Sequence, residues 1–197
     1  MTLDTLALQT DTVAAWTALA PAILLGLTGL VLLGVDTLWP ADEPSNVMLA
    51  GIAAAGSILS FAVTGWFLVA GTGQTRTGGE IALYGDALVV DGVSLFFTLI
   101  FTIVTAMVTV AAYDYLDDHS HRAEFYSLTL FAATGMALMA TANSLATVFI
   151  SLELASLPSY ALVAFLKTDR GSVEAGLKYF LIGAVSSAVL AFGISLV

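Results

Sequence analysis

The sequence predicts an all-α integral membrane protein of about six transmembrane helices, and three observations lead there. Of the 197 residues, 59% are hydrophobic and only 10% charged, against roughly 25% charged in a soluble domain. Mean hydropathy is +0.98, more apolar surface than a soluble core of this size hides. Apolar runs of about twenty residues recur along the chain, each long enough to cross ~30 Å of hydrocarbon at about 1.5 Å per residue.

The first helix is expected over Val13–Leu38, with Pro21 near its start. Trp39-Pro40 ends it, an interfacial aromatic followed by a helix stop. Asp4 and Asp11 precede it without any Lys or Arg, and the run outlasts a signal-peptide core, so it does not read as a secretory signal. After the polar turn Ala41–Ser45, a second helix is expected over Val47–Ala70. There Gly51 and Ala55, then Gly56 and Ser60, sit four apart and offer a face for close helix approach. Gly71–Gly79 is a Gly/Thr-rich loop, and Glu80–Asp91 reads as a short hairpin around Tyr84-Gly85-Asp86. Residues 71–91 are thus expected to form an extracytoplasmic loop.

A third helix follows over Gly92–Ala112, behind Asp91 as a candidate N-cap and ahead of the interfacial pair Tyr113 and Tyr115. The most charged stretch, Asp114–Arg122, leads to a fourth helix over Glu124–Ala142. The tight turn Ala142-Asn143-Ser144 returns the chain as a fifth helix over Leu145–Leu166. The polar connection Lys167–Ser172 precedes a sixth over Val173–Val197, where Gly183, Ser187, Ala191 and Ser195 recur every four residues as a packing face. That run ends without a polar cap, so the 197 residues read as a single membrane domain, the N-terminal fragment of a longer protein.

Charge narrows the function. The net charge is -10, with 15 Asp and Glu against 5 Lys and Arg, which argues against nucleic acid as a partner. The lipid bilayer is the expected surrounding, and the acidic loops are the bias expected in a very salty medium. Cys is absent, which removes thiol chemistry and thiolate-held metals. No Gly-rich phosphate loop occurs at a strand-to-helix junction, so the chain is not expected to bind a nucleotide itself. An extracytoplasmic N-terminus puts Arg122, Lys167 and Arg170 in cytoplasmic loops and only Arg76 outside, the orientation that positive charge favours.

Two residues stand out as carriers of chemistry. Glu153 lies near the middle of the fifth apolar run, where an ionisable group costs about 2.5 to 3.5 kcal/mol on insertion scales. Ser156 and Tyr160, three and seven residues on, share its helical face and form a polar stripe expected to point into the protein. Pro158 brings no N–H, which frees the carbonyl of Leu154 beside Glu153. A carboxyl held there gains or loses its proton according to the neighbours that face it, as a proton relay requires. Lys178 is the second candidate, in the sixth run. Its simpler reading is an intrahelical ion pair with Glu174, four residues earlier, or snorkelling to the interface. Counted from their shared side of the membrane, Glu153 lies about 20 Å deep and the Lys178 backbone about 8 Å, a spacing for a water-assisted relay. The loop Asp117-Asp118-His119-Ser120-His121 lacks a scaffold for metal ligation and reads as solvated.

The stretch from Phe149 through Leu152-Glu153-Leu154-Ala155-Ser156-Leu157-Pro158 to Leu162, then Ser172–Leu181 and Gly183–Ala188, resembles the N subunit of proton-pumping NADH-quinone oxidoreductase, respiratory complex I. Val90–Phe97, Glu124–Leu128 and Gly135–Ala140 are similar to that family's third and fourth helices, so the resemblance runs from about Asp86 to the end. It implies the N-terminal part of an antiporter-like helix bundle, a multi-pass subunit of the cell membrane that moves protons while other membrane subunits of complex I pass electrons to quinone. It also implies that Glu153 matches the family's essential fifth-helix Glu and Lys178 its sixth-helix Lys. The chain itself is expected to bind no cofactor, while the complex uses a quinone and NAD(H) or a similar donor. The family's seventh-helix Lys has no counterpart within these residues, so this fragment alone is expected not to pump. Two rival readings are a subunit of a multisubunit sodium/proton antiporter and a non-catalytic structural fragment.

Overall fold

Six helices long and apolar enough to span a membrane follow one another among the described residues. They are α1 (Ala20–Leu38), α2 (Asn46–Ala70), α3 (Gly92–Tyr115), α4 (Arg122–Thr141), α5 (Leu145–Ala164) and α6 (Arg170–Ile194). The chain is a multi-pass membrane protein. Its computed structural model describes residues 16–38, 45–70, 80–116, 119, 121–166 and 170–197. Residues 1–15, with the expected start of the first helix, lie outside these, as do Trp39-Pro40 and most of the following turn. So do the loop 71–79 with Arg76, Asp117, Asp118 and Ser120, and residues 167–169.

The first four helices close on one another: α1 packs on α2 and α4, α2 on α3, and α3 on α4. Their shared core joins Leu25 and Leu32 of α1, Leu49 and Ala53 of α2, and Tyr126, Leu130 and Ala133 of α4. Since lipid tails are as apolar as these side chains, such a bundle depends on close packing and hydrogen bonds. Both are present. Ser60 of α2 donates its hydroxyl hydrogen bond to the Pro21 carbonyl of α1 at 2.8 Å. At Gly56 an added Cβ would come within 2.8 Å of Thr28 Cβ, so that glycine is what lets α1 and α2 meet.

The small-residue face of α2 is narrower than its composition suggests. Its buried row runs through Leu49, Ala53, Ser57, Ser60 and Thr64. Gly51 and Ala55 are exposed, with open space where a Gly51 side chain would be. At about 100° per residue, Gly51 lies roughly 200° around the helix from Ala53, off the packed side. On α3 the buried row is almost wholly hydroxylic: Ser94, Thr98, Thr102, Thr105 and Thr109. These hydroxyls satisfy themselves locally, as where Thr98 donates to the Ser94 carbonyl at 2.8 Å and Thr105 to that of Phe101 at 2.7 Å.

Between α2 and α3, β1 (Ile81–Leu83) and β2 (Leu88–Val90) pair antiparallel as a hairpin. Its turn holds Tyr84, Gly85 and Asp86 at φ of 56°, 66° and 66°. Asp91 then caps α3: its carboxylate accepts from the Ser94 N–H at 2.7 Å, and its own N–H donates to Ser94 Oγ at 2.8 Å. The hairpin docks on the turn between α4 and α5. There the Asn143 N–H donates to the Ala87 carbonyl at 3.0 Å, and Asn143 Nδ2 to that of Asp86 at 2.8 Å. Thr147 Oγ1 donates to the same Ala87 carbonyl at 2.8 Å while completing a capping box with Ser144. The start of α5 is therefore held from two sides.

Beyond this bundle α5 packs on α4, and α6 packs on α5. Helix α3 runs on through Tyr113 and Tyr115, past the expected stop at Ala112, because no Gly or Pro interrupts it before Leu116. Helix α6 begins at Arg170 and ends at Ile194, both three residues ahead of the expected bounds.

Candidate proton-relay site

Glu153 sits on α5, eight residues or about 12 Å from its hairpin end at Leu145 and eleven or about 16 Å from Ala164. The side chain is half-buried, and its Oε1 is fully enclosed without a hydrogen-bond partner. Ser156 Oγ, one turn on, is enclosed and unpartnered as well. Only one other side-chain atom among the described residues shares that condition, Glu124 Oε2 at the far end of α4. Two of the three such atoms thus lie within one turn of a single helix.

The backbone around Glu153 is also unusual. Pro158 is buried inside α5 and supplies no N–H to the Leu154 carbonyl. Against this segment rests Gly135 of α4, where an added Cβ would come within 2.7 Å of the Leu154 carbonyl carbon and 2.8 Å of Ala155 Cα, and nearer still to the Ala155 nitrogen. Those are backbone atoms, which cannot step aside without moving the helix. Gly135 therefore fixes how closely α4 backs the peptide next to Glu153. Sequence reasoning gave Gly135 no role in the site; the available signal was a glycine inside an otherwise regular apolar helix.

Tyr160 shares the Glu153 side of α5 and anchors α6. Its ring meets Tyr179 edge-on at a centroid distance of 5.0 Å and Phe180 at 5.9 Å. Its hydroxyl lies where a Gly183 side chain would be, and one turn further along α5, Ala164 fills the corresponding place at Gly176.

Lys178 stands apart from this group. Gly176, Tyr179, Phe180 and Gly183 face α5, and Lys178 lies about 200° around α6 from both Gly176 and Phe180, so it projects from the opposite side. There its Nζ pairs with Glu174 Oε1 at 2.6 Å, both side chains being more than half exposed, at 67% and 57%. The structure does not bring Glu153 and Lys178 together. It brings Glu153 together with Ser156, and Lys178 with Glu174.

The charged loop before α4 forms a local cluster of its own. His121, at φ 66°, precedes the helix, and its Nδ1 lies 2.9 Å from Glu124 Oε1. Among the described residues no group of three or more His, Asp or Glu is placed to share a metal ion.

With this geometry in hand, the comparisons with known proteins bear on the same residues. Residues 142–197, which contain both Glu153 and Lys178, match the family described as "NADH:quinone oxidoreductase/Mrp antiporter, TM". The chain is 37% identical over 180 residues to NADH-quinone oxidoreductase subunit N 2 of Solibacter usitatus, covering 90% of this chain and 36% of that protein. It is 36% identical over 182 residues to F(420)H(2) dehydrogenase subunit N of Methanosarcina mazei, covering 91% of this chain and 36% of that one. Among solved structures it is similar to a chain of respiratory complex I from Thermus thermophilus, with a TM-score of 0.68 and 28% identity over 88% of this chain and 35% of that chain. The likeness thus extends upstream of Asp86 into the first helices, and the chain spans about a third of the length of the relatives it matches. Taken with six spanning helices in the same arrangement, these matches establish that the chain belongs to the family of antiporter-like membrane subunits represented by subunit N of the NADH-quinone oxidoreductases.

Proposed function

We propose that this chain is the N-terminal part of a proton-translocating subunit in the membrane arm of a complex I-type donor:quinone oxidoreductase, with Glu153 and Lys178 as stations of its proton path. The observation that carries this reading is the enclosed, unpartnered carboxyl oxygen of Glu153 at mid-depth in an apolar helix, inside the segment that matches the family. A carboxyl is retained in such a place at a cost, and a site that holds and releases a proton gives that cost a use.

Glu153 and Lys178 project to different sides of α6, so a proton passing between them travels through water or through other side chains. The partners on this reading are the other membrane-arm subunits and the lipid bilayer, in the cell membrane, with the N-terminus extracytoplasmic. Electrons come from NADH or a similar donor and end on a quinone, neither bound by this chain. One relative is named for F(420)H(2) in place of NADH, which supports leaving the donor to other subunits.

The test is proton uptake by the intact complex in proteoliposomes, driven by donor and quinone, with Glu153→Gln in the full-length subunit. Gln keeps the shape and abolishes the titration, so uptake per electron is expected to collapse; wild-type uptake would overturn the reading. The family description also takes in Mrp antiporters, and the alternative is a sodium/proton antiporter subunit. The two N-subunit relatives favour the first reading. Proton movement driven by a sodium gradient without donor or quinone would favour the second.

A further inference from the structure

We propose that Ser156 is the hydroxyl partner of Glu153 in the proton path, the two side chains holding one proton-carrying water between them. This rests on the reading of Glu153 given above.

The case starts from what hydroxyls do elsewhere in this protein. In a membrane helix a Ser or Thr ordinarily donates to a carbonyl three or four residues back. Ser57, Thr64, Thr98, Thr134 and Ser159 all do so, at 2.7 to 2.8 Å. Ser156 does not, although it lies in the same apolar setting. It is the one hydroxyl among the described residues that is fully enclosed yet unpartnered. Three residues away on the same face is an enclosed, unpartnered carboxyl oxygen. Side chains at this spacing have Cβ atoms about 5 to 6 Å apart, a gap that one water bridges while touching both.

A buried water needs two to four polar partners. Glu153 Oε1 and Ser156 Oγ supply two. The Leu154 carbonyl, without a helical donor because residue 158 is proline, is a third within the same turn. Gly135 lets the α4 backbone close the rear of this turn, so the polar atoms are walled on that side by peptide and not by a mobile side chain.

The transfer balances without any further reagent. Glu153, when protonated, gives its proton to the water, and the water passes one of its own to Ser156 Oγ. Ser156 releases its original hydroxyl proton on its far side and remains neutral. Glu153 is left as carboxylate, ready for reloading.

The test uses the full-length subunit in the intact complex, in proteoliposomes with donor and a short-chain quinone. Ser156→Ala removes one oxygen and is favourable to a helix, so folding is kept. Proton uptake per electron is expected to fall about tenfold, the effect of losing one neutral hydrogen bond of roughly 1.4 kcal/mol. The carboxyl band of protonated Glu153, identified by its loss in Glu153→Gln, should shift in infrared difference spectra, and Ser156→Thr should restore both readouts. Wild-type uptake with an unmoved band in Ser156→Ala overturns the proposal, as does equal impairment of the Ala and Thr variants, which marks a packing role. If Glu153→Gln is impaired and Ser156→Ala is not, this inference alone fails. If Glu153→Gln pumps normally, the underlying reading fails with it.

Discussion

Helices α1–α4 and helices α5–α6 solve the problem of standing in lipid in different ways. In the first group 28%, 33%, 33% and 44% of each spanning window is buried inside the protein, while in α5 and α6 the shares are 11% and 0%. The first group is locked by bonds and close approaches between distant residues: Ser60 to Pro21, Gly56 against Thr28, and Asn46 Nδ2 to the Tyr113 carbonyl at 2.9 Å. The second is held through narrower devices, Gly135 against the Leu154 peptide and Tyr160 over Gly183. Yet α5 and α6 carry both candidate proton carriers. The bundle is a scaffold whose polar atoms are satisfied, and the outer pair keeps polar atoms unsatisfied or exposed, as a path that changes its protonation requires.

The contrast predicts where substitutions hurt. The largest effect is expected at the joint between the two groups. Gly135→Val drives a branched side chain into the backbone of α5, at a cost of about 3 kcal/mol, and displaces Glu153 with it. The measurement is the heat-inactivation midpoint of the assembled complex together with its proton uptake. Gly51→Val is the matched control, since nothing lies within 4 Å of a Cβ there. Equal tolerance of the two variants would break the claim that Gly135 positions the site. Next comes Asn46→Ala within the scaffold. It removes the donor to Tyr113 and leaves the fully buried Tyr126 hydroxyl without the Asn46 oxygen that lies 3.4 Å away. About 2 kcal/mol should be lost, with proton uptake per electron unchanged in complexes that assemble.

These examples also mark how far the sequence could be read. The six spans follow from length and hydropathy, because lipid leaves the backbone few alternatives. Asp91 was legible as a cap because an N-cap is a local device, finished within three residues. Glu153 was legible because a carboxylate in an apolar run is costly wherever it points. What sequence could not supply were relations between helices. Small residues lie all around α2, so nothing local chose Gly56 and Ser60 over Gly51 and Ala55 as the packed side. The hairpin docks through the Ala87 carbonyl, a backbone group with no side-chain signature. Lys178 was rightly seen to lie four residues from Glu174, yet only the packing of Tyr160 on Phe180 and Gly183 shows that this pair faces away from Glu153.

A smaller effect is expected at the cap that joins hairpin to scaffold. Asp91→Ala loses the bond to the Ser94 N–H and should cost about 1 kcal/mol, a modest drop in the inactivation midpoint. Asp91→Asn should recover most of it, since its amide oxygen accepts the same bond. A variant that also lost proton uptake would show that the hairpin reaches α5 through Asn143 and Thr147 strongly enough to matter for function.

The smallest effect on stability, and the sharpest test of the contrast, lies in the outer ion pair. Glu174 and Lys178 are one helical turn apart and more than half exposed, so their attraction is screened and worth no more than about 0.5 kcal/mol. Lys178→Gln should leave the inactivation midpoint almost where it was. On the proton-path reading it should nonetheless reduce uptake per electron severely, because a glutamine carries no exchangeable charge. Glu174→Gln separates the two roles: it breaks the same pair and keeps the cation, so it should match Lys178→Gln in stability and remain near wild type in pumping. If the two variants lose pumping equally, the pair works as a unit. If neither loses it, Lys178 belongs with the structural surface of α6, and the proton path leaves Glu153 by another route.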